Sequence, residues 1–286
     1  MDVGQIIANG LVLGALYACL AVGFSLVWGV LNVINMLHGS FVILGGYLTF
    51  FAAQVIGIHP LAALVPVALI LFVLGYALQA TFINKVVAAP VLVTLTLTFG
   101  LDMILYNVMT VYFSATPRQL TLGLGSVEFW GIFLPVERLI GMGLALALTA
   151  ILFVTMRTSS IGRAIVAVRM DRFAAALMGI KVNRIYAITF GIGALMAGAA
   201  GSVFAMVFPV TTNLSGVFLG KAFVVCVIGG LGSVPGALVG GLALGLVEAF
   251  AGVLLGPQNA LTAGFVLMLL LLLVRPTGIL GVKGYE

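Results

Sequence analysis

Residues 161–184, IGRAIVAVRMDRFAAALMGIKVNR, form the longest polar interruption in an otherwise apolar chain. The slightly wider stretch of residues 157–184, termed the basic loop, holds six of the twelve Lys and Arg residues, and Asp171 is its one acid. Positive charge near the ends of membrane spans marks the cytoplasmic side. The basic loop is therefore predicted to be cytoplasmic, and it separates the apolar runs before it from those after it.

The basic loop is also predicted to be ordered. The run AAALM, residues 174–178, consists of good helix formers, and Gly179 directly after it is a typical helix terminator. We therefore predict a short helix over residues 169–182. Because such a helix would lie outside the bilayer, it indicates a docking surface.

The composition excludes a soluble globular protein. The 286 residues are 63% hydrophobic and 7% charged, whereas soluble domains carry about 25% charged residues. The formal net charge of +5 comes from cations near predicted span ends, so contact with membrane lipid is expected and nucleic acid is not. The chain is predicted to be one transmembrane domain, residues 1–286, built as an all-α polytopic membrane helical bundle.

A helix of about 20 apolar residues crosses a bilayer, and this length divides the chain into eight or nine transmembrane segments. The predicted spans are residues 5–29, 40–57, 61–83, 91–113, 139–156, 185–208, 218–230, 236–255 and 260–274. With nine spans, Lys85, the basic loop, Arg275 and Lys283 share one side, which places the N-terminus outside and the C-terminus in the cytoplasm. Short or broken helices are expected, because residues 28–40 and 228–236 interrupt apolar runs.

Several polar side chains lie inside or beside these apolar spans. A charged group in the hydrocarbon costs about 3 kcal/mol or more, so it usually faces the bundle interior or a water-filled path. The candidate substrate pathway consists of Asn32, Asn35, Asp102, Asn107, Asn213 and Glu248. The alternative for each residue is a structural role, in which it caps a helix or bonds to a neighbouring one.

The sequence contains no recognisable set of catalytic residues. The two histidines, His38 and His59, belong to no HExxH or Cys/His motif, so neither a metal site nor a bound cofactor is expected. The stretch GVFLGK, residues 216–221, is one residue short of a phosphate-binding loop, and Ala222 follows where such a loop needs Ser or Thr. The chain is therefore not expected to be an enzyme or to hydrolyse ATP by itself.

Four motifs, taken together in their order, carry a resemblance to a known family. They are LNVINMLHGSFVILGGY at 31–47, VRMDRFAAALMGIKVNRIYAITFGIGALMAGAAG at 168–201, GGLGSVPGALVGG at 229–241 and RPTGILG at 275–281. The chain resembles, over nearly its whole length, the branched-chain amino acid permeases of bacterial ABC importers. The resemblance implies a type II ABC importer-like fold in the bacterial inner membrane.

The same resemblance implies partners and an energy source. The family's permease pairs with a second related permease, two cytoplasmic ATPases that use ATP and Mg, and an extracytoplasmic solute-binding protein. Importers of this kind carry Glu-Ala-Ala, three residues and Gly in the loop that contacts the ATPase. Phe173 stands here at the glutamate position, and Asp171 is the nearest acid. The residues that the resemblance assigns to ATPase coupling are Arg169, Asp171, Arg172, Ala174, Ala175, Met178, Gly179 and Ile180.

Two other functions remain open on the residues alone. A stand-alone secondary transporter or channel for small polar solutes would usually display more ionisable residues in its spans, where this chain has essentially Asp102 and Glu248. An intramembrane enzyme would need a paired nucleophile and base, or a metal set. The expected substrates are branched-chain amino acids, with related small amino acids, amides or urea as alternatives.

Overall fold

The computed structural model describes residues 3–129 and 131–281, and it confirms an all-α membrane bundle. The α-helices within these ranges are α1 (Val3–Leu31), α2 (His38–Phe51), α3 (Pro60–Thr81), α4 (Val91–Phe113), α5 (Val136–Thr158), α6 (Ser160–Met170), α7 (Arg172–Leu177), α8 (Val182–Val207), α9 (Ser215–Gly229), α10 (Val234–Leu254) and α11 (Pro257–Val274). One antiparallel hairpin, β1 (Ser126–Phe129) and β2 (Ile132–Pro135), precedes α5. A π-helical turn, Ala52–Ile56, follows α2, and 3₁₀ turns, Ile83–Lys85 and Thr212–Leu214, follow α3 and precede α9.

Nine helical segments in the described part of the chain are long and apolar enough to cross a membrane. Eight of the nine predicted spans agree with them to within one helical turn at each end. The seventh span was predicted to be short, and it begins earlier, at Thr212, because the 3₁₀ turn Thr212–Leu214 extends α9 toward its N-terminus. The prediction of eight or nine transmembrane segments is confirmed, and the number is nine in the described residues.

The helices α1 and α8 form the centre of the bundle, and most of their side chains are buried. Glycines bring their backbones close to their neighbours. A Cβ atom on Gly14 would lie 2.7 Å from the Cα atom of Leu242 in α10, and one on Gly23 would lie 2.8 Å from the carbonyl oxygen of Gly193 in α8. Close backbone approach of this kind is how helices gain packing energy in lipid, where no hydrophobic effect drives them together.

The helices α3, α4, α5 and α11 form the outside of the bundle. They carry large exposed apolar side chains, among them Leu69, Val111, Ile151 and Leu273. Lipid tails are as apolar as these side chains, so such a surface is stable against lipid or against another apolar protein surface.

The two stretches predicted as helix interruptions are turns between consecutive helices. The first runs from Asn32, whose φ is +52°, to the start of α2. The second is the turn between α9 and α10, in which Gly230 and Gly232 have φ values of +106° and +75°. Left-handed backbone of this kind favours glycine, which explains the glycine-rich composition of the second turn.

The helix α5 runs between two opposite faces of the bundle. The β-hairpin precedes α5 at one of these faces, which we term the hairpin face. The basic loop follows α5 at the other, which we term the loop face. The end of α3 is also on the loop face, because the Nδ2 of Asn84 donates to the carbonyl oxygen of Asn183 at the start of α8 over 3.2 Å. Lys85 therefore shares this face with the basic loop, while Lys283 lies outside the described residues.

The prediction of one helix over residues 169–182 is wrong in its extent. Helix α5 continues to Thr158, α6 covers Ser160–Met170, and α7 is confined to Arg172–Leu177. The interruption falls at Asp171, whose backbone is extended with φ −154° and ψ 108°. Apart from Gly162, Asp171 is the residue from 160 to 178 least suited to a helix interior, and Asp is a preferred N-cap, so the prediction of one continuous helix overlooked a signal for this break.

Candidate functional site

Asp171 starts α7 by capping its N-terminus. Its Oδ1 accepts hydrogen bonds from the backbone N–H groups of Phe173, over 2.8 Å, and Ala174, over 3.0 Å. The first N–H groups of a helix have no partner within the helix, so this carboxylate satisfies two of them and interacts favourably with the helix dipole. The acid at this position therefore determines where α7 begins.

Gly179 ends α7. Its φ is +84°, and the backbone N–H groups of Gly179 and Ile180 bond back to the carbonyl oxygens of Ala176 and Ala175. A Cβ atom at Gly179 would contact nothing within 4 Å, so the requirement for glycine is conformational and not steric. The predicted role of Gly179 as the terminator of this helix is confirmed.

Helix α7 presents an apolar surface away from the bundle. Phe173, Leu177 and Met178 are 71%, 89% and 84% exposed, and Arg172 and Ala174 are exposed beside them. We term these five residues the α7 surface. Phe173 and Leu177 were not among the predicted coupling residues, although large apolar side chains in a polar loop were a signal that could have identified them.

Ala175 does not belong to this surface. It is 4% exposed and lies in the buried core of the chain itself. Of the two alanines assigned to ATPase coupling, Ala174 is therefore exposed on the α7 surface and Ala175 faces inward. Consecutive residues in a helix point in different directions, and the sequence did not show which of them faced the bundle.

Arg169, another predicted coupling residue, also points into the bundle. Its Nη1 donates to the carbonyl oxygen of Gly232, in the turn between α9 and α10, over 2.9 Å. Ile165 and Val168 on the same helix are buried, so α6 packs one apolar face against the spans. Helix α6 thus attaches the basic loop, of which it is a part, to the membrane-spanning helices.

A second polar cluster lies inside the bundle, where α1, α9 and α10 meet. The Nζ of Lys221 lies 2.7 Å and 3.0 Å from the two carboxylate oxygens of Glu248. The hydroxyl of Tyr17 donates to Glu248 over 2.6 Å, and the Lys221 Nζ lies 4.2 Å from the centre of the Tyr17 ring. The three side chains are buried or nearly so, and each of them comes from a different helix.

Lys221 was missed as a site residue. It was considered only as part of GVFLGK and rejected there as a nucleotide ligand, although a lysine inside an apolar span needs a partner in any case. Glu248 is that partner. Removing one member of a buried pair is strongly destabilising, because the other charge is left without compensation. This arrangement favours the structural alternative for Glu248.

A cavity of about 450 Å³ opens at the hairpin-face ends of α1, α5, α10 and α11. Its polar lining residues are Gln5, Asn9, Arg138 and Glu248, and its remaining lining is mostly apolar. The Nη1 of Arg138 donates to Asn9 Oδ1 over 3.2 Å, and its guanidinium lies 5.5 Å from the centre of the Phe208 ring. Glu248 reaches the wall of the cavity while it remains paired with Lys221.

Three other predicted pathway residues lie on or near α4. Asp102 accepts a hydrogen bond from Ser40 of α2 and is half-buried. Asn107 is exposed and donates to the carbonyl oxygen of Met103 in its own helix, over 2.7 Å. Asn213 is exposed and accepts from the hydroxyl of Tyr106, over 3.0 Å. The outer face of α4 therefore carries the exposed Asn107, with the exposed Asn213 beside it, whereas Asp102 points toward α2.

The remaining two predicted pathway residues lie in the turn between α1 and α2. Asn32 is exposed at the turn itself, and Asn35 is fully buried behind it. The turn is tied to α4, because Thr98 Oγ1 donates to the carbonyl oxygen of Ile34 over 2.9 Å. Within residues 3–129 and 131–281, no hydrogen bond or ion pair connects Glu248 to any of the other five predicted pathway residues.

The side chains offer little for a metal ion or for catalysis. No group of three or more His, Cys, Asp or Glu residues that could hold a metal is present in the described ranges. The buried His38 bonds to the carbonyl oxygen of Leu20 over 2.8 Å, which joins α1 and α2. The polar groups are thus arranged to connect helices and to line surfaces.

Comparison with known proteins gives consistent results over nearly the whole chain. The sequence model of the family described as "Branched-chain amino acid transport system / permease component" matches residues 6–274. The high-affinity branched-chain amino acid transport system permease protein LivH of Salmonella typhimurium is 34% identical, with 96% of this chain and 94% of that protein covered. The permease protein BraD of the corresponding system of Pseudomonas aeruginosa is 31% identical, with 97% and 95% covered.

Among solved structures, PsaBC from Streptococcus pneumoniae in complex with Fab is similar in fold. The TM-score is 0.51 at 15% sequence identity, and the match covers 96% of this chain and 93% of that one. At this identity the similarity concerns the fold alone.

Proposed function

Since the chain belongs to the family of branched-chain amino acid transport system permease components, we propose that it is the membrane-spanning subunit of an ATP-driven importer. The solutes it carries are leucine, isoleucine and valine, after the transport systems for which its relatives are named. The stand-alone secondary transporter and the intramembrane enzyme are set aside, because the family consists of permease components of larger systems.

The α7 surface is the observation that supports coupling to a partner most directly. Three large apolar side chains are exposed between two spans: Phe173 and Leu177 on the six-residue helix α7, and Met178 directly after it. A short helix capped by Asp171 and ended by Gly179 holds these side chains in a fixed arrangement. Exposed apolar anchors on a rigid element are typical of protein–protein contacts. We assign the α7 surface to the groove of a cytoplasmic ATPase.

The energy for transport comes from those partners. Two ATPase subunits bind ATP and Mg and hydrolyse the nucleotide, while this chain supplies the path and the docking surface. Arg172 at the start of the α7 surface adds a positive charge to the contact. An extracytoplasmic solute-binding protein delivers the amino acid to the opposite face.

The outer face of α4 is assigned to the substrate pathway. Asn107 and Asn213 lie exposed on or beside this face, the half-buried Asp102 lies on the same helix toward α2, and polar groups facing lipid are costly. A second, related permease that covers this face would shield the polar groups and complete a path between the two subunits. The paired Glu248 is assigned to helix packing instead.

The orientation follows from the distribution of cations. Lys85, the basic loop and Arg275 lie at helix ends on the loop face, and such clusters remain on the cytoplasmic side during insertion. The N-terminus is therefore outside and the C-terminus is cytoplasmic, in the bacterial inner membrane.

Reconstitution in proteoliposomes tests the proposed function. The chain, a second permease and two ATPases of the same transport system are incorporated together, and the solute-binding protein is added outside with radiolabelled leucine. We expect uptake that requires both ATP and the binding protein, and no ATP hydrolysis by this chain purified alone. Uptake by the chain alone without nucleotide would show a secondary transporter or channel instead.

A further inference from the structure

Three separate parts of the chain meet at the turn between α9 and α10. We term residues 229–233, GGLGS, the glycine turn. The end of α1 lies against it, because a Cβ atom on Gly29 would be 2.7 Å from the Cα atom of Gly232. Helix α6 and the C-terminal stretch RPTGILG, residues 275–281, contact it from other directions. The glycines of the turn are therefore buried between elements of the loop face, while Leu231 is exposed.

The contact with α6 is made by Arg169. In addition to the hydrogen bond from its Nη1 to the carbonyl oxygen of Gly232, its Nη2 lies 3.3 Å from where a Cβ atom of Gly232 would be. The guanidinium thus lies close to Gly232, where a larger side chain would meet it. Arg169 stands in the last turn of α6, immediately before the Asp171 break that begins α7. Arg169 is thus a direct link between the end of α6 that borders α7 and the glycine turn.

The contact with the C-terminal stretch is made by the backbone. The N–H groups of Ile279 and Leu280 donate to the carbonyl oxygens of Ile228 and Gly229, over 2.8 Å and 2.9 Å. These carbonyls belong to the last turn of α9 and have no acceptor role within the helix. Gly278 fits closely here, because a Cβ atom on it would lie 2.6 Å from the backbone nitrogen of Gly230. The stretch thus holds the end of α9 and the start of the glycine turn.

The glycine turn joins the two helices that carry the buried ion pair. Lys221 lies on α9, about 12 Å along the helix from the turn, and Glu248 lies on α10. The pair ties the two helices together at a second point. Helices held at both a turn and an ion pair move as one body, so a shift at the glycine turn displaces the Glu248 wall of the cavity on the hairpin face.

We propose that Arg169 is a positioning residue that transmits movement of α7 to the α9–α10 pair, with residues 275–281 as the clamp that keeps the glycine turn in place. This inference rests on the proposed function, because it needs an ATPase that moves the α7 surface. It gives Arg169 a role inside the permease, and it gives the C-terminal motif a role that its sequence alone did not indicate.

The first test separates transmission from docking in the reconstituted complex. Arg169→Gln and Arg169→Lys are compared with Arg163→Gln, which makes the same charge change on an exposed part of α6, where the side chain bonds to Thr158. For Arg169→Gln we expect leucine uptake to fall about tenfold while binding-protein-stimulated ATP hydrolysis stays within about twofold. Arg169→Lys should recover part of the uptake, and Arg163→Gln should leave both rates unchanged. If Arg169→Gln takes up as many leucine molecules per ATP hydrolysed as the unmodified complex, the proposal is overturned.

The second test does not depend on transport. Hydrogen exchange of the glycine turn is measured in the purified complex. We expect Arg169→Gln to raise the exchange rate of residues 230–233 about tenfold. Ile279→Pro should do the same, because proline lacks the N–H that bonds to Ile228. The controls Ile279→Ala and Arg163→Gln should leave the exchange rate unchanged. Equal protection in all variants would overturn the proposed contact network, even in a complex that transports normally. If the unmodified complex shows no ATP-dependent uptake, the proposed function is wrong. The hydrogen-exchange result would still test the contact network independently.

Discussion

Lys221 and Glu248 form an ion pair of 2.7 Å inside the membrane-spanning bundle, and it joins α9 to α10. Tyr17 of α1 adds a third contact through its hydroxyl. Two charges at this depth are stable only together, because each would otherwise lie in an apolar surrounding without compensation. Together with Tyr17, the pair therefore fixes the relative position of α1, α9 and α10.

Removing one member of this pair should destabilise the protein more than removing both. We expect Lys221→Met to cost about 3–5 kcal/mol, since Glu248 is left buried and unpaired. The double variant Lys221→Met with Glu248→Gln should recover more than half of this loss, because the amide still accepts from Tyr17. The measurement is the Tm of the purified complex together with the amount of permease in the membrane. Normal stability of Lys221→Met with lost uptake would assign the pair to the pathway.

The polar face of α4 should affect transport and not folding. Asp102→Asn and Asn107→Ala are each expected to lower leucine uptake about tenfold, the equivalent of one lost polar contact to the solute, with little change in Tm. Thr96→Ala is the matched control, because Thr96 is exposed on the same helix and bonds to the carbonyl oxygen of Leu92. If Asp102→Asn and Asn107→Ala lower the Tm and transport normally, this face packs against another helix.

Cysteine labelling should establish the orientation. Cys19 and Cys226 are both buried, and they are first replaced by Ala. A cysteine at the exposed Ser126, in the hairpin, should react with an impermeant reagent in intact cells, and one at the exposed Ser160, in the basic loop, should react only after the cells are opened. The reverse pattern would invert the proposed orientation.

The spans could be predicted from the sequence, because the length and apolar composition of a membrane helix are set by the bilayer. The positions of side chains around each helix could not. Ala174 and Ala175 are alike in sequence, but one faces outward and the other inward. The pairing of Lys221 with Glu248 joins residues of two helices, and nothing local in either stretch identifies the partner. The break at Asp171 depends on a cap that competes with helix continuation by a small free-energy difference, about 1 kcal/mol.

Gly179 should tolerate only residues that accept left-handed backbone. At φ +84° a β-branched side chain is strained, so Gly179→Val is expected to displace the end of α7 and to reduce binding-protein-stimulated ATP hydrolysis severely. Gly179→Asn should retain most of the activity, because asparagine adopts this conformation more readily and no neighbour lies within 4 Å of the added Cβ atom. Both variants should reach normal levels in the membrane. Equal activity of the valine and asparagine variants would show that the end of α7 has no part in coupling.

The two alanines of α7 should respond in opposite ways to the same substitution. Ala174→Trp adds a large side chain to the exposed α7 surface, so the permease should fold and insert normally, and stimulated ATP hydrolysis and leucine uptake should both fall because the ATPase no longer seats closely. Ala175→Trp places the same side chain in a buried position that is 4% exposed, and overpacking there should lower the Tm and the amount of permease in the membrane. Leu177→Asp provides an independent check, since it removes an apolar anchor whose side chain is 89% exposed. We expect Leu177→Asp to weaken co-purification of the ATPase without changing the level of the permease. Should Ala174→Trp and Leu177→Asp both retain full ATPase binding and full uptake, the α7 surface is not the docking site, and the short capped helix has only a structural role in the basic loop.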